Sequence, residues 1–96
     1  MSDDPNTISS TDEASGEGSV AESVLRYLAE TLVDDPEGIE ISTSQWRNRV
    51  SLNLSVAPGD MGKVIGRKGR TAQAIRTVVR AAGSRDGVDT FVEIVD

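Results

Sequence analysis

The sequence predicts a small α+β domain with the element order α-β-β-α-α-β, preceded by a tail. Three observations carry that expectation. An apolar stripe at helical spacing runs through Val24, Leu25, Leu28 and Leu32. The stretch "RVSLNLSV" alternates strictly between polar and apolar residues, as a half-buried strand does. Two further helical runs meet at a glycine pair, Gly66 and Gly69, and a last strand-like run, "TFVEIV", follows them.

Taken in order, residues 1–18 are mostly Ser, Thr, Asp, Glu and Gly, with almost nothing to bury. They read as a disordered acidic tail, and residues 19–96 as the domain. "SVAE" from Ser19 reads as a capping box, in which the Ser19 hydroxyl accepts from the Glu22 amide and the Glu22 carboxylate reaches back. Pro36 in "DDPEG" ends the first helix, because proline disfavours helical geometry at the residue before it. Ile39 and Ile41 alternate in "GIEIST", a short strand, and "STSQWRN" reads as a polar turn. Val50, Leu52, Leu54 and Val56 share one face of the next strand, with Ser51, Asn53 and Ser55 on the other; the two strands suggest an antiparallel hairpin. Pro58 opens a short helix with Met61, Val64 and Ile65 on one side, and Gly66 stops it. The following helix starts near Arg70 and ends at Gly83 as a C′ glycine. Its buried stripe is expected at Ala74, Ile75, Val78, Val79 and Ala82, with Arg76 and Arg80 on another face.

Composition narrows the chemistry. The 96 residues contain no cysteine and no histidine. Disulfides and cysteine-based metal sites are excluded, and the usual general base is missing. No residue set supports catalysis, so neither an enzyme nor a cofactor is expected. Asp34 and Asp35 are adjacent acids, but without a third ligand they make a poor metal site. No apolar run approaches the ~18 residues of a membrane span, and the polar, acidic start is unlike a signal peptide. The expected location is the cytoplasm, and the "NLS" sequon at Asn53 is discounted. The net charge of -6 conceals an asymmetry: Met1 to Glu40 holds eleven acids and Arg26 alone, whereas Ile41 to Asp96 holds nine bases and five acids. Local potential, not net charge, governs binding.

The densest positive charge lies in "VIGRKGRTAQAIR", Val64 to Arg76. Glycines at 66 and 69 allow a tight reversal between helices and a close backbone approach to a ligand. The first amides of the second helix lack intrahelical acceptors and carry partial positive charge, which favours a phosphate. Arg67 and Lys68 add full charge at that point, and Lys63, Arg70 and Arg76 lie nearby in sequence. An arbitrary GxxG is more often a solvated corner; two basic middle residues, the preceding "VI" and the flanking strands shift the balance here. A nucleotide P-loop is rejected, because Val64 stands where the hydroxyl after Gly62-Lys63 is required and Ala57 where the first glycine belongs.

"VIGRKGRTAQAIR" resembles the IGxxG signature of the KH domain, a single-stranded nucleic-acid binder, and the element order resembles the bacterial type II arrangement. "LVDDPEGIEI", "VAPGDMGKVIGRKGRTAQAIRTVVRAAG" and "VEIVD" are similar to the KhpA family of small single-KH bacterial proteins. The resemblance covers about Val20 to Asp96 and leaves the acidic tail outside. It implies a three-stranded mixed sheet packed on three helices, no cofactor, and a groove for single-stranded RNA beside the loop. Such a loop clamps the backbone of about four nucleotides. By position, Gly66, Arg67, Lys68 and Gly69 would hold that backbone, and Val64 and Ile65 would shape the groove. The family further implies RNA chaperone activity, homodimers or pairing with a larger KhpB (Jag)-type KH protein, and pathways touching cell shape and division. Two departures stand out: Gly59 occupies a position where an acid is common, and Arg67 and Lys68 are both basic where many members carry an uncharged residue.

Several residues keep two readings. Arg76 and Arg80 extend the phosphate track or form a solvated face, and Arg85 reads as a solvated turn residue. Trp46 stacks on a base or, as turn tryptophans more often do, caps the sheet edge or meets a partner; Arg47 and Arg49 beside it favour the first. Tyr27 reads as core rim or dimer contact. For function, the competing reading is a dimerisation or docking module with marginal RNA binding. A further expectation is that the acidic tail competes with RNA for the basic groove.

Overall fold

The computed structural model describes residues 19–95. The expectation of a disordered tail over residues 1–18 and the cap expected from the Ser19 side chain lie outside the description. Six elements follow the expected order: α1 (Ser19–Leu32), β1 (Glu40–Trp46), β2 (Arg49–Ser55), α2 (Met61–Ile65), α3 (Arg70–Arg85) and β3 (Asp89–Ile94). The sheet order is β1-β2-β3, with β1 and β2 antiparallel and β2 and β3 parallel. The sheet is therefore mixed, and the helices cover one of its faces.

The alternation in β2 fixes that face. Val50, Leu52 and Leu54 are fully buried, and Val56 nearly so. Leu25 from α1, Val64 from α2 and Val79 from α3 meet them in one core. α1 buries Ala21, Leu25 and Ala29 most deeply, with Val24, Leu28 and Leu32 packed half-buried beside them. The Glu22 carboxylate accepts from the Thr43 hydroxyl at 3.3 Å, which joins α1 to β1.

Three local expectations are corrected. First, "STSQW" is strand, not turn: β1 continues to Trp46, which pairs with Arg49 across a two-residue turn, Arg47-Asn48. The strand was illegible because it lies at the sheet edge and stays exposed from Ser42 onward, so no apolar alternation marks it. Polar edge strands of this kind avoid pairing with other chains. Second, the buried stripe of α3 is Ala72, Ile75, Val79 and Gly83, while Ala74 and Val78 are exposed. Third, Gly83 does not end α3. A Cβ there would collide with the Thr90 hydroxyl and lie 2.9 Å from Thr90 Cβ, so glycine lets helix and strand touch. The ending glycine is Gly87, at φ 81. Val88 N–H donates to Gly83 C=O at 3.1 Å and Gly87 N–H to Ser84 C=O at 3.0 Å, the bond pair of a Schellman motif.

Candidate nucleic-acid interface

The loop is built from β2 onward. Pro58–Asp60 forms one 3-10 turn and delivers the chain into α2. Asp60 is the anchor of this corner and escaped the sequence reading. Its carboxylate is buried, at 3% exposure, yet it accepts from Asp34 N–H at 3.2 Å and Asp35 N–H at 3.1 Å. These are amides just past the end of α1, so one side chain ties α1 to the start of α2. The Asp34 amide is the main reason the Asp60 carboxyl lies below the usual carboxylate range; burial opposes, and the Asp35 amide and the Lys63 charge reinforce it.

Lys63 completes the corner. Its ammonium lies 3.1 Å from Asp34 Oδ2 and 3.5 Å from Asp60 Oδ1. Contact with Asp34, then its charge, raises the Lys63 pKa above the ordinary lysine value. Lys63 thus bridges Asp34 and Asp60 with its own side chain 45% exposed; sequence proximity alone had grouped it with the loop cations. Asp34 holds a lysine here, and no group of three or more metal-ligating side chains occurs among the described residues.

The loop itself reverses within four residues. Gly66 adopts φ 76, ψ 172, a region open essentially to glycine alone. A Cβ on Gly66 would also collide with the Thr71 hydroxyl and lie 2.6 Å from Thr71 Cβ and 2.9 Å from Thr71 N. Arg67–Gly69 makes a 3-10 turn in which Lys68 sits in left-handed geometry, φ 57, ψ 26. Gly69 follows at φ 75, ψ 11, with open space where its Cβ would be. Gly69 is the N-cap of α3 and supplies no side-chain cap. The Arg70 N–H donates to Arg67 C=O within the turn, and the amides that follow begin α3 with no side-chain cap over their partial positive charge. Arg67, Lys68 and Arg70 are exposed around them and form no ion pair among the described residues.

The remaining expected site residues divide by burial. Val64 is fully buried and supports the loop from beneath; Ile65, at 39% exposure, is the member of the pair that reaches the surface. Arg76 is half-buried, and its Nε donates to Val92 C=O at 3.2 Å, so it spans the space between α3 and the edge strand β3. The structure brings Gly66, Arg67, Lys68, Gly69 and Arg70 together at one end of α3, and Arg76 lies beside β3. No helix among the described residues is long and apolar enough to cross a membrane.

With this geometry in place, comparison with known proteins is informative. The family model "KhpA/KhpB, KH domain" matches residues 22–94. The RNA-binding protein KhpA of Streptomyces coelicolor is 45% identical over 75 residues, covering 78% of this chain and 91% of that protein. The RNA-binding protein KhpA of Caldanaerobacter subterraneus is 43% identical over 72 residues, covering 75% and 96%. Among solved structures, Era in complex with MgGDPNP and nucleotides 1506–1542 of 16S ribosomal RNA superposes with a TM-score of 0.56 at 19% identity. That match covers 77% of this chain and 28% of Era, and it speaks to the fold.

Proposed function

Because this chain belongs to the KhpA/KhpB KH-domain family, we propose that it binds single-stranded RNA, with the Gly66–Gly69 loop as the clamp on the backbone. The carrying observation is the loop: two positive-φ glycines, a helix start without a side-chain cap and three cations that form no ion pair among the described residues, Arg67, Lys68 and Arg70, meet at one point. Backbone contact of this kind reads charge and shape, so sequence selectivity is low. A single module with so few phosphate contacts binds weakly, in the range of roughly 10⁻⁴–10⁻⁶ M. The protein then works in the cytoplasm as an RNA chaperone or post-transcriptional regulator, without catalysis and without a cofactor.

The test is fluorescence anisotropy of labelled single-stranded RNA against wild type and the double variant Arg67→Gln, Lys68→Gln. For single strands each neutralised phosphate contributes about -0.7 to the slope of log K against log salt. Losing two contacts should flatten the slope by about 1.4. Wild-type affinity and slope in the double variant would remove the loop from the binding site.

A second reading, dimerisation with itself or with a KhpB-type protein, is favoured by one feature. Val20 and Tyr27 on α1 are 48% and 64% exposed, and with Val24 and Ser23 they line an apolar depression. A second chain laid on this helix face would cover these exposed apolar side chains. Light scattering decides: a firm dimer that ignores RNA at low salt makes this the main task, and a Tyr27→Glu variant should then be monomeric. Roles in cell shape and division follow from the family resemblance.

A further inference from the structure

The helices pack on one face of the sheet and, among the described residues, leave the second face bare. Strand alternation and register put Trp46 from β1, Arg49 and Ser51 from β2, and Asp89 and Phe91 from β3 on that face, at its hairpin end. The Arg49 guanidinium lies over the Phe91 ring at 4.7 Å, and that of Arg47 over Trp46 at 4.6 Å. Arg80 reaches the same Phe91 from α3, 6.0 Å from the ring centroid. Trp46 is 66% exposed. Arg47 holds its place in the turn at φ 59, a conformation an L-residue with a long side chain rarely adopts.

Charge is polarised along this face. Arg47, Arg49 and Arg80 form no ion pair among the described residues, and Asp89 is the acid at their end. Glu40 and Glu93 lie at the opposite end, opposite Ser55 and Asn53 of β2. Two shallow depressions flank Arg49. One, of about 230 Å³, is lined by Ser44, Gln45, Trp46, Arg49 and Ser51; the other, of about 280 Å³, by Arg80, Asp89, Thr90 and Phe91. Arg80 follows Arg76 by one helical turn, so cations continue from the loop groove, along β3, to this face.

We propose that the hairpin end of the open sheet face is a second contact site for single-stranded RNA, engaged by strands longer than the loop groove holds. This rests on the reading of the loop as an RNA clamp. RNA leaving the groove passes Arg76 and Arg80, crosses edge strand β3, and lays bases against the Arg49–Phe91 and Arg47–Trp46 stacks. The two rings stand two strand spacings across the sheet and two residues along it from each other, roughly 12 Å, and the Arg49 guanidinium stacked over Phe91 widens that platform. Aromatic rings and arginine planes both stack bases with little regard to sequence. The three guanidiniums neutralise the phosphates of the crossing strand. The chemistry selects a polyanion with flat, apolar faces, and single-stranded nucleic acid is that ligand.

The test compares four-nucleotide and twelve-nucleotide RNA of one repeating sequence on the full chain, by anisotropy of the label and by fluorescence of Trp46, the only tryptophan. The expected result is quenching of Trp46 by the longer RNA alone. Trp46→Ala and Phe91→Leu should each weaken the twelve-nucleotide complex about fivefold or more and leave the four-nucleotide complex unchanged. Phe91→Leu keeps apolar volume while removing the ring, and circular dichroism verifies its fold. Equal affinity of wild type for both lengths, without quenching, overturns the second site while the clamp stands. Loss of dimer mass in these variants with unchanged RNA affinity assigns the face to protein contact and also overturns it. Failure of both RNAs to bind wild type overturns clamp and second site together. Quenching that survives Arg67→Gln, Lys68→Gln supports the face independently of the loop.

Discussion

The two loop glycines share nearly the same φ, 76 and 75, but differ in surroundings, and this makes a controlled pair of substitutions. At Gly69 a methyl group meets nothing within 4 Å. Gly69→Ala therefore carries only left-handed backbone strain, about 1–2 kcal/mol. At Gly66 two effects combine. Its φ, ψ region is nearly exclusive to glycine and costs an L-residue about 1–3 kcal/mol. The new methyl would also lie 2.6 Å from Thr71 Cβ and 2.9 Å from Thr71 N. The hydroxyl can rotate away, but the backbone nitrogen moves only if the first turn of α3 moves, and such overpacking adds about 1–3 kcal/mol. Gly66→Ala should thus exceed Gly69→Ala by about 2 kcal/mol. In a domain of this size each kcal/mol is worth roughly 4–8 °C in Tm. Thermal and urea unfolding followed by far-UV circular dichroism measures both variants. Thr71→Ala should rescue Gly66→Ala only slightly, because Cβ and N remain. Melting temperatures within about 3 °C of each other would refute the crowding argument.

Other outcomes can be checked in the same assays. Gly83→Ala should destabilise by about 1–3 kcal/mol despite alanine's better helix propensity, because α3 is forced off Thr90; Thr90→Ala should recover part of it. Asp60→Asn should lower Tm at neutral pH, since an amide cannot accept from both the Asp34 and Asp35 amides through two oxygens. The folded-state pKa of Asp60 is depressed below 3.8, so its contribution is complete above that value and disappears as pH falls through the lower, folded pKa. The wild-type and Asp60→Asn stabilities should therefore converge in acid; a constant gap down to pH 2 would contradict the assignment. Lys63 is shifted upward from 10.5, so its contribution is complete below that value and lost as pH rises through the higher, folded pKa. Lys63→Met should cost stability at pH 7 while changing RNA affinity far less than Arg67→Gln, as measured by anisotropy.

Much of this architecture could be read from the chain because local pattern and tertiary role coincide. In β2 the alternation of Val50, Leu52, Leu54 and Val56 is the core itself, and around the loop the positive-φ glycines stand where the chain reverses. Legibility fails where a residue's role is set by a distant neighbour. Gly83 looks like a helix stop until Thr90, seven residues on, is placed against it; the true stop, Gly87, stood in "RDGV" all along. Asp60 looks like a solvated acid because its donors, the amides of Asp34 and Asp35, lie some 25 residues earlier. Lys63 stands with the loop cations by number, and its bridge to Asp34 and Asp60 shows only in three dimensions. β1 beyond Ser42 carries no pattern because neither of its faces is deeply buried. Phe91 and Arg49, forty-two residues apart, meet only through the parallel pairing of β2 with β3.

The left-handed lysine of the loop has an evolutionary consequence. Lys68 holds a conformation that asparagine adopts several-fold more readily than most residues do. A change to asparagine at this one position would relax the backbone and remove a charge from the proposed clamp in a single step. With the loop as the proposed clamp, stability and affinity for RNA are coupled in opposite senses at residue 68. A lineage under selection for thermal endurance and one under selection for tighter RNA capture should diverge there first, with the glycines on either side unchanged.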